Sequence, residues 1–280
     1  MADLKANQNE KKMSSFLKRL ISGAVLLLLI LVIAPMGGLP LFLLTLVTSL
    51  TGLFELYRVF GIERRSIGYV GYLTTVIYYL LVWFRMGEYM ALMSVLSLMG
   101  MFAFYVITYP EYKVDHVAKA FLSVVYAGIM LSYLYQTRNL PDGRYFVWLI
   151  FIASWGSDTC AYCAGILFGR HRMTPALSPK KTVEGAVGGV VGAALLGALY
   201  AFLFRHHFTE GSNPALSSAV ACAIGALISM IGDLTASGIK RDYAVKDYGT
   251  LLPGHGGIMD RFDSVIFTAP AVFFALTFIV

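Results

Sequence analysis

Long apolar runs alternate with short polar ones from one end of the chain to the other. Nine apolar stretches can be drawn, at about 20–35, 41–60, 67–84, 89–109, 117–135, 145–168, 184–204, 216–236 and 264–280. Runs of ~20 apolar residues match the length an α-helix needs to cross the hydrocarbon core of a bilayer. The last run is short, and it can extend back into the polar segment before it. Two connections are longer than the rest, 169–183 and 237–263. No internal repeat of the kind found in many transporters is visible. The pattern predicts an all-α, polytopic helical integral membrane protein with about nine transmembrane helices. About 19 mostly polar residues precede the first run and no small-residue cleavage site follows it, so it reads as an uncleaved span.

Composition narrows this further. Of 280 residues, 58% are hydrophobic and 14% charged, which excludes a soluble globular domain, a disordered chain and a coiled coil. The mean hydropathy of +0.71 says the same. Nine spans leave no room for a separate soluble domain, so any chemistry sits in short loops or at polar positions within spans. Three regions are expected: N-terminal helices over 1–110, middle helices over 111–168, and a C-terminal catalytic region with cytoplasmic loops over 169–280.

The net charge is +6, and its placement gives a topology. With the N-terminus cytoplasmic, all of the 22 Lys and Arg except Arg85, Arg138, Arg144 and Arg205 fall on the inner side. That is the positive-inside bias of helical membrane proteins. Both longer connections then face the cytoplasm. No basic stretch is interleaved with aromatics outside the spans, so nucleic acid is not an expected partner. Cys160, Cys163 and Cys222 lie in apolar stretches. Cys160 and Cys163 have redox or metal spacing but no second pair, and packing is the expected role.

Carboxylates inside membrane segments cost ~2.5–3.5 kcal/mol each on insertion scales, so each needs a partner. The candidates are Glu55, Asp158, Glu184 and Asp233, with Asp260 and Asp263 at the mouth of the last span. Asp233, Ser237, Lys240 and Arg241 share one face if the eighth helix runs on past Asp233. Pro253-Gly254-His255-Gly256-Gly257 cannot be regular helix and suits close backbone approach to phosphate oxygens. Asp260 and Asp263 at i, i+3, with Asp233 from a neighbouring helix, make an all-oxygen site suited to Mg²⁺. Lys240, Arg241, Lys246 and Arg261 would neutralise phosphates, the arrangement that phosphoryl or nucleotidyl transfer needs. Ser178-Pro179-Lys180-Lys181-Thr182-Val183-Glu184-Gly185 places two lysines before a helix N-terminus, which favours anions. Asp158 follows Ser154-Trp155-Gly156-Ser157 and fits either a structural, hydrogen-bonded aspartate or part of a polar site. Glu55 is less informative.

The Ser237–Asp263 run resembles the phosphatidate cytidylyltransferases, or CDP-diacylglycerol synthases. Ser237, Lys240, Arg241, Lys246, Asp247, Gly249, Pro253, His255, Gly256, Gly257, Asp260, Arg261 and Asp263 fill the family's pattern. The 178–185 and Asp158 segments are also similar to it. The first ~150 residues match in character only. The resemblance implies Mg²⁺-dependent transfer of CMP from CTP to phosphatidate, releasing pyrophosphate, for phospholipid biosynthesis. It also implies a homodimer, in contact with membrane lipids, in a bacterial cytoplasmic (inner) membrane with the site facing the cytoplasm. By carry-over, Asp233, Asp260, Asp263 and Asp158 look like metal ligands, at a site where a second cation such as K⁺ can pair with Mg²⁺. Asp233, Lys240, Arg241, Asp260 and Asp263 form the implied catalytic set, and Lys180, Lys181, Ser237, Lys246, His255 and Arg261 the implied substrate contacts.

Three rival readings remain. An ether-lipid phosphate acceptor would present the same head group. A secondary transporter would carry its carboxylates near the bilayer midplane, whereas these crowd toward one face. A CDP-alcohol phosphotransferase would need a longer motif than Asp142-Gly143-Arg144 supplies.

Overall fold

The computed structural model describes residues 21–175, 177–209, 213–252, 254 and 256–279. Among these residues the chain folds into nine helices. They are α1 (Ile21–Met36), α2 (Gly38–Phe60), α3 (Ser66–Trp83), α4 (Glu88–Ile107), α5 (Val114–Arg138) and α6 (Gly143–Phe168). After a β-hairpin follow α7 (Val183–Leu203), α8 (Pro214–Asp242) and α9 (Met259–Ile279). Helices α2 to α9 are long and apolar enough to cross a membrane, and α1 is shorter. The protein is thus a polytopic helical membrane protein, and each of the nine apolar stretches is a helix. Their order alternates the loops between two ends of the bundle. At one end Arg58 reaches Tyr248 and Ser66 reaches Tyr112. At the other, Arg138 bonds the carbonyls of Ala34 and Pro35.

Small residues set how the site-bearing helices meet. Helix α7 starts where Thr182 caps it, its hydroxyl accepting from Gly185 N at 3.1 Å. It buries Gly185, Gly189, Ala193, Gly197 and Ala201, one residue every turn. The exposed face carries Val187, Val191, Leu195 and Leu199, side chains suited to lipid. A Cβ on Gly197 would stand 2.6 Å from Cys222 Sγ of α8, so the backbones approach as closely as glycine permits. Cys160 packs in the same way against Gly192, as a small apolar residue. Asn213 caps α8 by accepting from Leu216 N at 3.2 Å, and Pro214 opens the first turn. Some polar side chains in the core pair between helices: Tyr79 Oη lies 2.6 Å from Ser49 Oγ, and Tyr57 donates to the Ala120 carbonyl at 3.0 Å.

Two departures from the sequence pattern shape the site. Helix α8 runs on to Asp242 and α9 begins at Met259, so the expected 237–263 loop is about half helix. The connection after α6 is not plain loop. Arg172–Thr174 (β1) and Ser178–Thr182 (β2) pair antiparallel, with Arg172 opposite Thr182 and Thr174 opposite Ser178. Pro179 is tolerated because β2 lies at an edge of this two-stranded sheet. Helices α5 and α6 each contain a π-helical stretch, Val124–Ile129 and Ile152–Gly156. The second ends two residues before Asp158.

Candidate active site

Four carboxylates from three helices meet at one end of the bundle. Asp158 of α6, Asp233 of α8, and Asp260 and Asp263 of α9 all line a cavity of about 390 Å³. Arg261, Ser264, Trp155 and the start of α1, at Ser22 and Gly23, complete its wall. A second cavity, of about 570 Å³, lies between α6, α7 and the hairpin. It is lined by Arg170, Arg172, Lys180 and Lys181, and by the apolar Tyr162 and Ile166. Asp158 and Asp233 belong to both cavities and form the wall between them.

The cations are placed by the same elements. Lys181, at the end of β2, is ion-paired with Asp233. Lys240, seven residues beyond Asp233 on α8, is paired with Asp260 at 3.0 Å. As the i, i+4, i+7 spacing requires, Asp233, Ser237 and Lys240 follow one face of an unbroken helix. Arg241 takes a different part: its Nε and Nη2 donate to the Leu177 carbonyl at 3.0 and 2.7 Å, which ties the hairpin to α8. Lys180 and Lys246 are exposed, Lys180 over the larger cavity. Glu184 accepts from Arg170 N at 3.0 Å and lies 2.6 Å from His171 Nδ1, closing the hairpin's base.

Asp260 differs from its neighbours. One oxygen meets Lys240, and the other accepts from Tyr248 N at 2.8 Å and Gly257 N at 2.9 Å. Its side chain is 3% exposed. It therefore anchors the turn between α8 and α9. Gly256 in that turn has φ +82°, and a Cβ there would stand 2.7 Å from the Asp260 carboxylate. Only glycine meets both demands. Tyr248 is buried and donates to the Ala236 carbonyl at 2.9 Å. Burial pushes its phenol well above the usual range, and Asp260 and Asp263 add to the effect, so it stays a neutral donor. His255 and Pro253 lie outside the described residues.

Glu55 of α2, which the sequence left without a role, holds the same turn from the opposite side. Its two oxygens accept from Ile258 N at 3.1 Å and Met259 N at 2.9 Å, satisfying the first amides of α9. Three residues on, Arg58 Nη2 donates to the Tyr248 carbonyl at 2.7 Å. The available signal was the cost of an isolated carboxylate in an apolar helix, which demands a partner.

Asp158, Asp233 and Asp263 are left as the carboxylates that face the cavities and feel one another's charge. Hard oxygen donors beside an open cavity suit Mg²⁺, which keeps several waters and phosphate oxygens in its shell. Among the described residues no three His, Cys, Asp or Glu side chains stand close enough to enclose an ion by themselves. Lys181 neutralises Asp233, a carboxylate that a cation would otherwise engage.

The model of the cytidylyltransferase family matches residues 17–279. A phosphatidate cytidylyltransferase of Staphylococcus epidermidis is 34% identical over 258 residues, covering 90% of this chain and 95% of that one. Its counterpart in Staphylococcus haemolyticus is 32% identical over 257 residues, with the same coverage.

Proposed function

The chain belongs to the cytidylyltransferase family, and from that premise we propose that it is a phosphatidate cytidylyltransferase, making CDP-diacylglycerol from CTP and phosphatidate. The observation that carries this reading is the wall of Asp158 and Asp233 shared by two cavities, with Lys181 and Lys240 beside it. Two polyanions must be brought together, and the site offers two spaces with cations at their junction. The larger cavity, with its arginines, lysines and apolar flank, suits a phosphate that stays attached to a lipid or a nucleotide.

The phosphatidate phosphate is already anionic at neutral pH, so no strong general base is needed. It attacks the α-phosphorus of CTP in line, and the bond to pyrophosphate breaks. Lys181 and Lys240 screen the repulsion between the two substrates and the charge gathering on the leaving group. An arriving phosphate draws Lys181 from Asp233, which frees that carboxylate. Asp158, Asp233 and Asp263 would hold Mg²⁺, which supplies further charge neutralisation on the phosphates. Asp260, Glu55 and Arg58 keep the turn and the first turn of α9 in place while this occurs. The positive-inside bias supports a site at the cytoplasmic face, and the bacterial relatives support a bacterial cytoplasmic membrane, where CTP would come from water and phosphatidate from the leaflet.

Purified protein given labelled CTP, phosphatidate and Mg²⁺ is the direct test. Labelled CDP-diacylglycerol, lost on chelation and in Asp263→Asn, is the expected result. Product only with an ether-lipid phosphate would move the acceptor to that class. No transfer to any lipid phosphate, in folded protein, would overturn the reading.

A further inference from the structure

Tyr126 stands on α5 inside the π-helical stretch Val124–Ile129. Such turns are rare, and they recur where a helix must re-aim a side chain at a functional site. The Tyr126 ring packs edge-on against Phe267, at 5.6 Å between centroids, one helical turn beyond Asp263. The residue is 4% exposed, and its hydroxyl has no hydrogen-bond partner among the described residues. That hydroxyl lies in the electrostatic field of Asp263 and Asp233, and the neutral phenol of Tyr248 adds to its surroundings. Leaving an enclosed hydroxyl unbonded is unfavourable, and a phenylalanine would fill the same space without that cost. Two more enclosed hydroxyls without partners, Ser157 and Ser229, stand beside Asp158 and one turn before Asp233.

We propose that Tyr126 is a positioning residue of the active site, its hydroxyl donating through a buried water to the Asp233 and Asp263 carboxylates from behind. The phenol adds a donor without adding charge, and it fixes the carboxylates in the orientation that captures a divalent cation. The π-helical stretch sets where the hydroxyl falls on α5. This inference rests on the cation site proposed above.

The test uses the full chain in detergent, comparing wild type, Tyr126→Phe and, as a control, Asp263→Asn. Mn²⁺ binding is read by electron paramagnetic resonance without substrates, and melting temperature with and without Mn²⁺. Tyr126→Phe should melt within a few degrees of wild type yet bind Mn²⁺ about tenfold more weakly, as the loss of a hydrogen bond that orients metal-holding carboxylates implies. The Mg²⁺ concentration for half-maximal CDP-diacylglycerol formation should rise by a similar factor. Unchanged Mn²⁺ affinity in Tyr126→Phe would overturn the inference. So would a lowered melting temperature with Mn²⁺ affinity intact, or a wild type that binds no Mn²⁺. Weakened Mn²⁺ binding in protein that transfers no CMP would leave this inference standing and remove the proposed reaction.

Discussion

The aspartates of the last helix separate into Asp260, which anchors a turn, and Asp263, which the proposed function makes the working carboxylate. In Asp260→Asn the amide would bring an NH₂ group to a place where Lys240, Tyr248 N and Gly257 N all donate. That variant should lose both activity and several degrees of melting temperature. Asp263→Asn, whose recorded protein contacts are to the neighbouring Ser264, should lose turnover by orders of magnitude and keep its melting temperature. Parallel thermal unfolding and label-transfer assays distinguish the two. Glu55→Ala leaves the Ile258 and Met259 amides without their acceptor, at a cost of about 1–3 kcal/mol. It should behave like Asp260→Asn despite lying some 200 residues earlier in the chain. The acidic and basic types at 233–263 were legible in the sequence because charge at a membrane surface stands out. Which oxygen meets which amide was not, since Asp260 and Asp263 look alike until the turn before them closes. Arg241 shows the same limit: a cation beside Lys240 is read as a phosphate contact until the Leu177 carbonyl is seen to occupy it.

At the scale of elements, hydropathy located every helix, because an apolar run of sufficient length has no other stable form in lipid. The ends were harder. Asp233, Ser237, Lys240 and Arg241 interrupt the apolar pattern, yet α8 continues through them to Asp242: Asp233 lines the cavities, Lys240 pairs with Asp260 and Arg241 bonds the Leu177 carbonyl. The hairpin was hidden for another reason, since β1 and β2 are too short to show alternation and are held by pairing across a tight turn and by Arg241. The glycine stripe on α7 gives a sharp prediction. Gly197→Val would drive side-chain atoms into Cys222 and the Ser218 carbonyl, separating α7 from α8. The expected loss is about 1–3 kcal/mol, seen as a lower melting temperature in detergent, with activity falling in step.

For the whole molecule, the alternation of loops puts Lys246 and Arg144 at opposite ends. In a background lacking Cys160, Cys163 and Cys222, Lys246→Cys should react with an impermeant maleimide only from the cytoplasmic side, and Arg144→Cys only from the other. Labelling of both from one side would refute the topology.

Asp158 and Asp233 line both cavities, so neither space can be filled without altering the field and the freedom of movement in the other. Binding of the nucleotide and of the lipid phosphate is then thermodynamically linked, each changing the other's dissociation constant by the same factor. Direct attack of the lipid phosphate on CTP, as proposed, requires both substrates to be present before the bond is made. Initial rates with both concentrations varied should therefore give intersecting double-reciprocal lines, and no parallel set of the kind a covalent nucleotidyl-enzyme would produce.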